Sequence, residues 1–251
     1  MARWIDHANC VIYDALMAAR YAPSRANGLA QRQAAVQSLC RICKEFYQRG
    51  WALGTSGNFS AVVSRNPLQL AVTQSGVDKG SVTPTQIVLV NDAGEAINAR
   101  ARPSAEVLLH LTIAQARRAG AVLHTHSIWS TIASEVYAGE DGVRIKGYEM
   151  LKGLEGVHTH QHSEWLPIID NSQDIRALAR ELGSVLARRP DSHGILLRRH
   201  GLYTWGKDLA QAKRHVEILE FLLEITSILD CMRTHSKFIV QSRAGSRKSK
   251  N

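Results

Sequence analysis

Ala121-Val122-Leu123-His124-Thr125-His126-Ser127 is the stretch from which the rest of the chain can be read. An apolar run ends in two histidines spaced two apart, and on a strand that spacing turns both imidazoles to one face. A second stretch, Leu196-Leu197-Arg198-Arg199-His200-Gly201-Leu202-Tyr203, ends another strand-like run (Gly194–Leu197) in a histidine. Gly201 follows it and allows a close backbone approach. Three neutral imidazoles at strand ends suit a zinc ion with one coordination position open, the arrangement of catalytic rather than structural zinc. A third cluster, His158, His160 and His162, has the same spacing but lies in a polar connection before Trp165 and Pro167. Its histidines are read as surface or hydrogen-bonding groups, and His110, His193 and His215 are given no special role.

Outward from these segments, helical and β-like patterns alternate. A helix is predicted over Gln31–Gln48, strands over Phe59–Val63, Leu68–Thr73 and Ile87–Val90, and a helix from Pro103-Ser104 through Arg118. Ala121–His124 is a strand and Ser127–Tyr137 a helix. Asp170, Asn171 and Ser172 offer N-caps for a helix over Gln173–Arg188. A strand at Ile195–His200 pairs with Tyr203–Trp205, and a long helix runs from Asp208 to about Cys231. This alternation predicts one α/β domain over 31–232 with helices packed on a central sheet. Residues 1–30 form an extension with an amphipathic helix over Trp4–Tyr21, and 233–251 form a basic tail read as flexible from about residue 236.

The chain has 251 residues, 45% of them hydrophobic, enough for a sizeable core. Its formal charge of +9 is concentrated toward the C-terminus, without stacking aromatics or a nucleic-acid module, so neither nucleic acid nor membrane is expected as a partner. No apolar run reaches the ~18 residues of a membrane span. Four scattered cysteines do not make a disulfide scaffold, and Cys40 and Cys43 fall on the core face of a helix, so a reducing, cytoplasmic setting is expected.

Three segments are suited to an anion. Gly54–Ser60 and Gln74–Gly80, the latter carrying Lys79, are small-residue loops that can turn backbone N–H groups toward phosphate, and Ser104 stands at a predicted helix start. Two carboxylates could move protons. Glu106 lies in the first turn of a helix, where the macrodipole alone favours it. Glu149 lies in the glycine-flanked, aperiodic segment Gly147–Gly153.

Taken together, TSGNFS (55–60), SGVDKG (75–80), PSAEVLLH (103–110), HTHS (124–127), YEMLKGLEG (148–156), IIDNSQDI (168–175) and RRHGLYTWG (198–206) resemble the class II aldolase/adducin family over about Gln31–Met232. The resemblance implies a three-layer fold with a mainly antiparallel central sheet, and one zinc per subunit on His124, His126 and His200. It also implies phosphate-holding loops at Gly57, Asn58, Ser75, Gly76 and Ser104, with Lys79 and Lys152 as further substrate contacts. The PS-x-E glutamate, here Glu106, is the base in the family's aldolases. The EM-x-KG glutamate, here Glu149, is the acid/base in its dehydratases and is preferred as the principal proton carrier. Dehydration of a phosphorylated ketose is the implied activity, with sugar-phosphate aldolase or 4-epimerase chemistry as the alternative and a non-catalytic adducin-like module as a third reading. A homotetramer with sites at subunit boundaries is the implied assembly.

Overall fold

In the computed structural model, which describes residues 25–97 and 102–248, the chain divides into two compact units, Met1–Ala34 and Ala35–Asn251. The helix expected over Trp4–Tyr21, and Cys10, lie outside the described residues. Helix α1 (Arg25–Gln48) leads to strands β1 (Asn58–Arg65), β2 (Leu68–Thr73) and β3 (Ile87–Val90). Then follow α2 (Val107–Ala116), β4 (Ala121–Thr125), α3 (Ile128–Val136), β5 (Gly142–Lys146) and β6 (Ser163–Ile169). The chain continues through α4 (Ile175–Arg188), β7 (Gly194–Leu197), β8 (Gly201–Gly206) and α5 (Leu209–Lys248).

The eight strands form one sheet in the order β3-β2-β1-β4-β8-β7-β6-β5, antiparallel except where β6 runs parallel to β7. Alternation along the strands divides the core between two faces. Val122, Ile195, Leu197 and Tyr203 pack toward Leu178, Leu182 and Leu186 of α4 and Leu109 of α2. Ala61, Ala71 and Leu123 face Leu39, Cys43 and Phe46 of α1, and Leu196 and Leu202 face Leu219 and Leu222 of α5. The three-layer, mainly antiparallel α/β architecture expected from the sequence is the one observed. Cys40 and Cys43 are buried in that core, where burial raises the Cys43 thiol far above its ordinary range and keeps it inert.

Several boundaries moved, each for a local reason. The helix expected from Pro103 begins only at Val107, because the preceding chain is held extended: Gln74 bridges Pro103, and the Ser75 N–H donates to the Arg102 carbonyl at 3.1 Å. That pairing lays the Ser75-Gly76 loop beside Ser104. Helix α4 starts at Ile175, with Asp174 accepting the Ala177 N–H at 2.9 Å, which leaves Asn171 and Ser172 in a loop. Helix α5 continues to Lys248 through the segment read as a flexible tail; no proline interrupts it. Helix α1 is already formed at Arg25, ahead of the expected Gln31, and includes Gly28. Strands β5 and β6 were not foreseen. Val143 and Ile145 alternate with Arg144 and Lys146 over a short span, and Pro167 argued against a strand, yet it pairs with Gly142 within β6. No helix among the described residues is long and apolar enough to cross a membrane.

Gly201 is where β8 must pass β4 most closely. A Cβ built there would lie 2.0 Å from the Thr125 carbonyl oxygen, backbone that the β4–β8 ladder holds in place. Gly201→Ala is therefore expected to destabilise the fold by on the order of 2–3 kcal/mol, seen as a lower denaturant midpoint with an unchanged slope.

Candidate metal centre

Sheet register assembles the centre. On the face covered by α2 and α4, Asn58 of β1, His124 of β4 and Tyr203 of β8 are direct cross-strand partners, so three side chains from distant parts of the sequence stand in one row. The Tyr203 ring stacks on His124 with centroids 3.8 Å apart and planes 10° from parallel. His126 lies just past the end of β4, its N–H donating to the Trp51 carbonyl at 2.8 Å. His200 sits in the β7–β8 turn, where Arg199 takes a positive φ of 55°. Glu135 of α3 clamps this turn through Arg198 at 2.7 Å and Arg199 at 2.5 Å, while the Arg199 N–H donates to Ser134 Oγ at 2.9 Å.

The three Nε2 atoms converge, with His124 to His126 at 2.8 Å and His124 to His200 at 3.3 Å. Zn–N bonds of ~2.0–2.1 Å set ligand atoms ~3.3 Å apart in a tetrahedron, so the donor set has the spacing of a divalent-metal site. The tautomers agree with that use. His124 donates its Nδ1–H to the Leu202 carbonyl at 3.0 Å and His200 directs Nδ1 at Asn171 Oδ1 at 3.4 Å, which leaves the Nε2 lone pairs facing inward. Burial, reinforced by the neighbouring imidazoles, pushes His124 well below its ordinary range and His126 down to about 4, so both rings are neutral.

Glu106 caps the row. Its Oε2 accepts hydrogen bonds from Asn58 Nδ2 at 2.6 Å and from the Tyr203 hydroxyl at 2.9 Å. It lies 3.5 Å from His124 Nε2, and Oε1 lies 3.4 Å from His200 Nε2. Burial and the adjacent carboxylate hold the Tyr203 phenol well above its usual range, so it remains a donor. Asn58 is fixed in turn by His110, whose Nε2 donates to Asn58 Oδ1 while Nδ1 accepts from Ser60 Oγ at 2.7 Å. Burial takes His110 down to about 4, and the neutral ring passes one donor direction from Ser60 through Asn58 to Glu106. His110 thus has a role that helix periodicity did not disclose. Tyr203, too, was hidden by its place in an apolar strand.

A cavity of about 330 Å³ opens onto His126 and His200 and is lined also by Gly57, Asn58, Ser75, Gly76, Lys79, Ser104 and Glu106. The three segments read as anion-binding therefore meet at one place. Lys79 is buried; its ammonium donates to the carbonyls of Thr55 at 3.1 Å and Val77 at 2.9 Å, tying two of those loops together and leaving one donor. Gly57 has φ +70°, and a Cβ there would meet the His124 carbonyl oxygen at 2.7 Å. Glu149 and Lys152 do not line this cavity. They pair with each other on an exposed 3-10 turn, Glu149–Gly153, with His160 at 3.8 Å from Glu149.

Fold and site together define an α/β scaffold with a histidine donor set suited to a metal ion, and the chain belongs to the class II aldolase and adducin family, whose N-terminal domain model matches residues 37–227. Among its relatives, the methylthioribulose-1-phosphate dehydratase of Marinobacter nauticus is 41% identical over 191 residues, covering 76% of this chain and 91% of the relative. The enzyme of the same name from Sorangium cellulosum is 43% identical over 188 residues, covering 74% and 86%. Of solved structures, YgbL of Escherichia coli aligns with a TM-score of 0.67 at 27% identity, covering 78% of this chain and 90% of that one. L-Fuculose-1-phosphate aldolase of Thermus thermophilus aligns at 0.63 and 21% identity, covering 82% and 98%, and shares the fold.

Beneath the row, on the other face, buried Glu220 of α5 accepts hydrogen bonds from Thr125 at 2.5 Å and from Ser127, the residues flanking His126. Burial pushes its carboxyl up to about 7, with Glu224 adding to the shift. The folded protein thus keeps a proton that the unfolded chain releases near pH 4.5, so stability falls as pH rises from there to about 7 and then levels off. Glu220→Gln removes this slope. Denaturant midpoints of wild type and variant, at fixed metal content, are expected to agree near pH 5 and to separate by on the order of 3 kcal/mol in the variant's favour by about pH 8.

Proposed function

We propose that this protein is a zinc-dependent hydro-lyase of methionine salvage, acting on 5-methylthioribulose 1-phosphate to give 2,3-diketo-5-methylthiopentyl 1-phosphate. The observation that carries the reading is one cavity that brings two members of a three-histidine donor set together with a carboxylate and three anion-suited loops, the third histidine lying buried just behind them. The relatives of 41–43% identity direct it to this substrate. Free Cys40, Cys43 and Cys231 suit the cytoplasm.

In this reading His124, His126 and His200 hold zinc, which supplies a Lewis acid for the C2 carbonyl oxygen and for the negative charge that builds as the C3 proton leaves. The phosphate lies against Gly57, Asn58, Ser75, Gly76 and Ser104, with the remaining Lys79 donor within the same wall. Glu106 is the group assigned to take the proton at C3: its Oε2 is held by Tyr203 and Asn58, while Oε1 lies 3.4 Å from His200 Nε2. Loss of the C4 hydroxyl needs a proton from an acid, and ketonisation then completes the β-elimination. Glu106→Gln is expected to keep bound metal by elemental analysis while turnover falls ~100-fold or more. Product that mass spectrometry identifies as the two retro-aldol fragments, instead of substrate less one water, would favour the aldolase alternative, to which Glu106 beside the histidines is equally suited.

Glu149 is assigned the acid at C4, acting in a neighbouring subunit's cavity within a tetramer. Two exposed apolar features support this arrangement. Met150, adjoining Glu149, is half-exposed, and Ile128, Ile132 and Val136 form an exposed i, i+4, i+8 stripe on α3 directly after His126 and Ser127. Glu149→Gln and His126→Ala should each be inactive alone. Co-refolded in equal amounts, they should recover about a quarter of wild-type turnover, because hybrid boundaries join an intact glutamate to an intact triad. No recovery would place Glu149 in its own chain's chemistry or outside it.

A further inference from the structure

The structure holds a second convergent donor set, at the opposite end of strand β7 from His200. His193 precedes that strand as His200 follows it, and His162 and Glu164 stand two apart at the start of the parallel neighbour, β6. Glu164 is 1% exposed. Its Oε2 lies 2.9 Å from His193 Nδ1 and 2.9 Å from His162 Nε2, and its Oε1 accepts the His193 backbone N–H at 2.9 Å. All three ligand atoms fall within 4.8 Å of one another, as those of the first triad do.

The surrounding contacts repeat the logic of the first centre. His193 Nε2 lies 2.8 Å from the Glu155 carbonyl oxygen, which can only accept, so Nε2 carries the proton. With that proton fixed, Nδ1 faces a carboxylate oxygen, and the pair requires a cation: a second proton on the ring, or a metal ion that takes the Nδ1 lone pair. A carboxylate withdrawn from water needs that positive charge close by. His215 is not available as a fourth ligand, because it donates from Nδ1 to the Trp205 carbonyl and accepts the Glu155 N–H at Nε2, at 2.8 and 3.2 Å. A separate cavity of about 510 Å³, lined by His162 and His193, gives solvent access for water to complete the coordination.

We propose that His162, Glu164 and His193 form a second divalent transition-metal site of the two-histidine, one-carboxylate type. The ion joins the first turn of β6 to the entry of β7 and, through the Glu155 carbonyl, to the segment that follows Glu149–Gly153. It is independent of the chemistry assigned to the first triad.

The test counts metal. Full-length protein stripped by chelator, reloaded with Zn²⁺ or Co²⁺ and desalted is analysed by elemental mass spectrometry, with circular dichroism confirming the fold of each variant. Wild type is expected to retain two ions per chain, and His193→Gln, His162→Gln and His126→Ala one each. Co²⁺-loaded His126→Ala should keep a tetrahedral or five-coordinate visible spectrum that His162→Gln in the same background abolishes. His162 lies at the more open edge of the set, so its variant serves where removal of His193 unsettles Glu164. A single ion in wild type overturns the proposal, as does a second ion that survives both His162→Gln and His193→Gln.

Discussion

The constraint on which the centre depends is the register of β1, β4 and β8. Because β4 lies between two strands that are remote from it in sequence, Asn58, His124 and Tyr203 share one row of the sheet, and a one-residue slip in either ladder would turn a member of that row into the opposite face. Two glycines make the register possible. Gly57 and Gly201 sit where the neighbouring backbone comes within the space of a methyl group, at the carbonyls of His124 and Thr125. The close approach that lets the strands pair is thus also what aligns Asn58 and Tyr203 beside the His124 ring.

Two layers of restraint then convert a row into a site. On one face, the Ser60–His110–Asn58 chain and the Tyr203 hydroxyl fix a single carboxylate oxygen of Glu106, while the other lies beside His200. On the other face, Glu220 grips Thr125 and Ser127, so the backbone carrying His126 is held from beneath. The β7–β8 turn has its own anchor in Glu135, which is held down to about 2 by its hydrogen bonds to Arg198 and Arg199. Each ligand therefore derives its position from a different element, and these elements meet only in the folded state.

This explains what could be read from the sequence and what could not. The histidine triad and Glu106 were legible because local spacing carries them: two residues apart at a strand end, a histidine before a glycine, a glutamate just before a helix. The anion-suited loops were legible as turns, and their convergence depends on the Gln74–Pro103 bridge, a contact between segments with no shared pattern. His110 read as helix interior and Tyr203 as strand core, since a buried polar group looks apolar by periodicity until its partner is known. The polar stretch around His162, read from the sequence as surface or hydrogen-bonding histidines, lies apart from the first triad. What it joins instead depends on β6, whose Pro167 obscured the strand.

Charge balance supports the division of labour proposed for the two glutamates. With a dication on His124, His126 and His200 the inner cavity would be positive, and Glu106 would offset only part of that charge, leaving an attraction for a dianionic phosphate. A second carboxylate built permanently into the same wall would cancel this attraction and raise the affinity of both acids for protons. Glu149 lies outside the chain's own cavity, where pairing with Lys152 favours its carboxylate, so the proton it is proposed to deliver at C4 has to be taken up once it leaves that partner for a substrate-filled site. The buried Lys79 fits the same balance: two of its donors hold carbonyls, so it strengthens the loops while adding its positive charge to the wall of the same cavity.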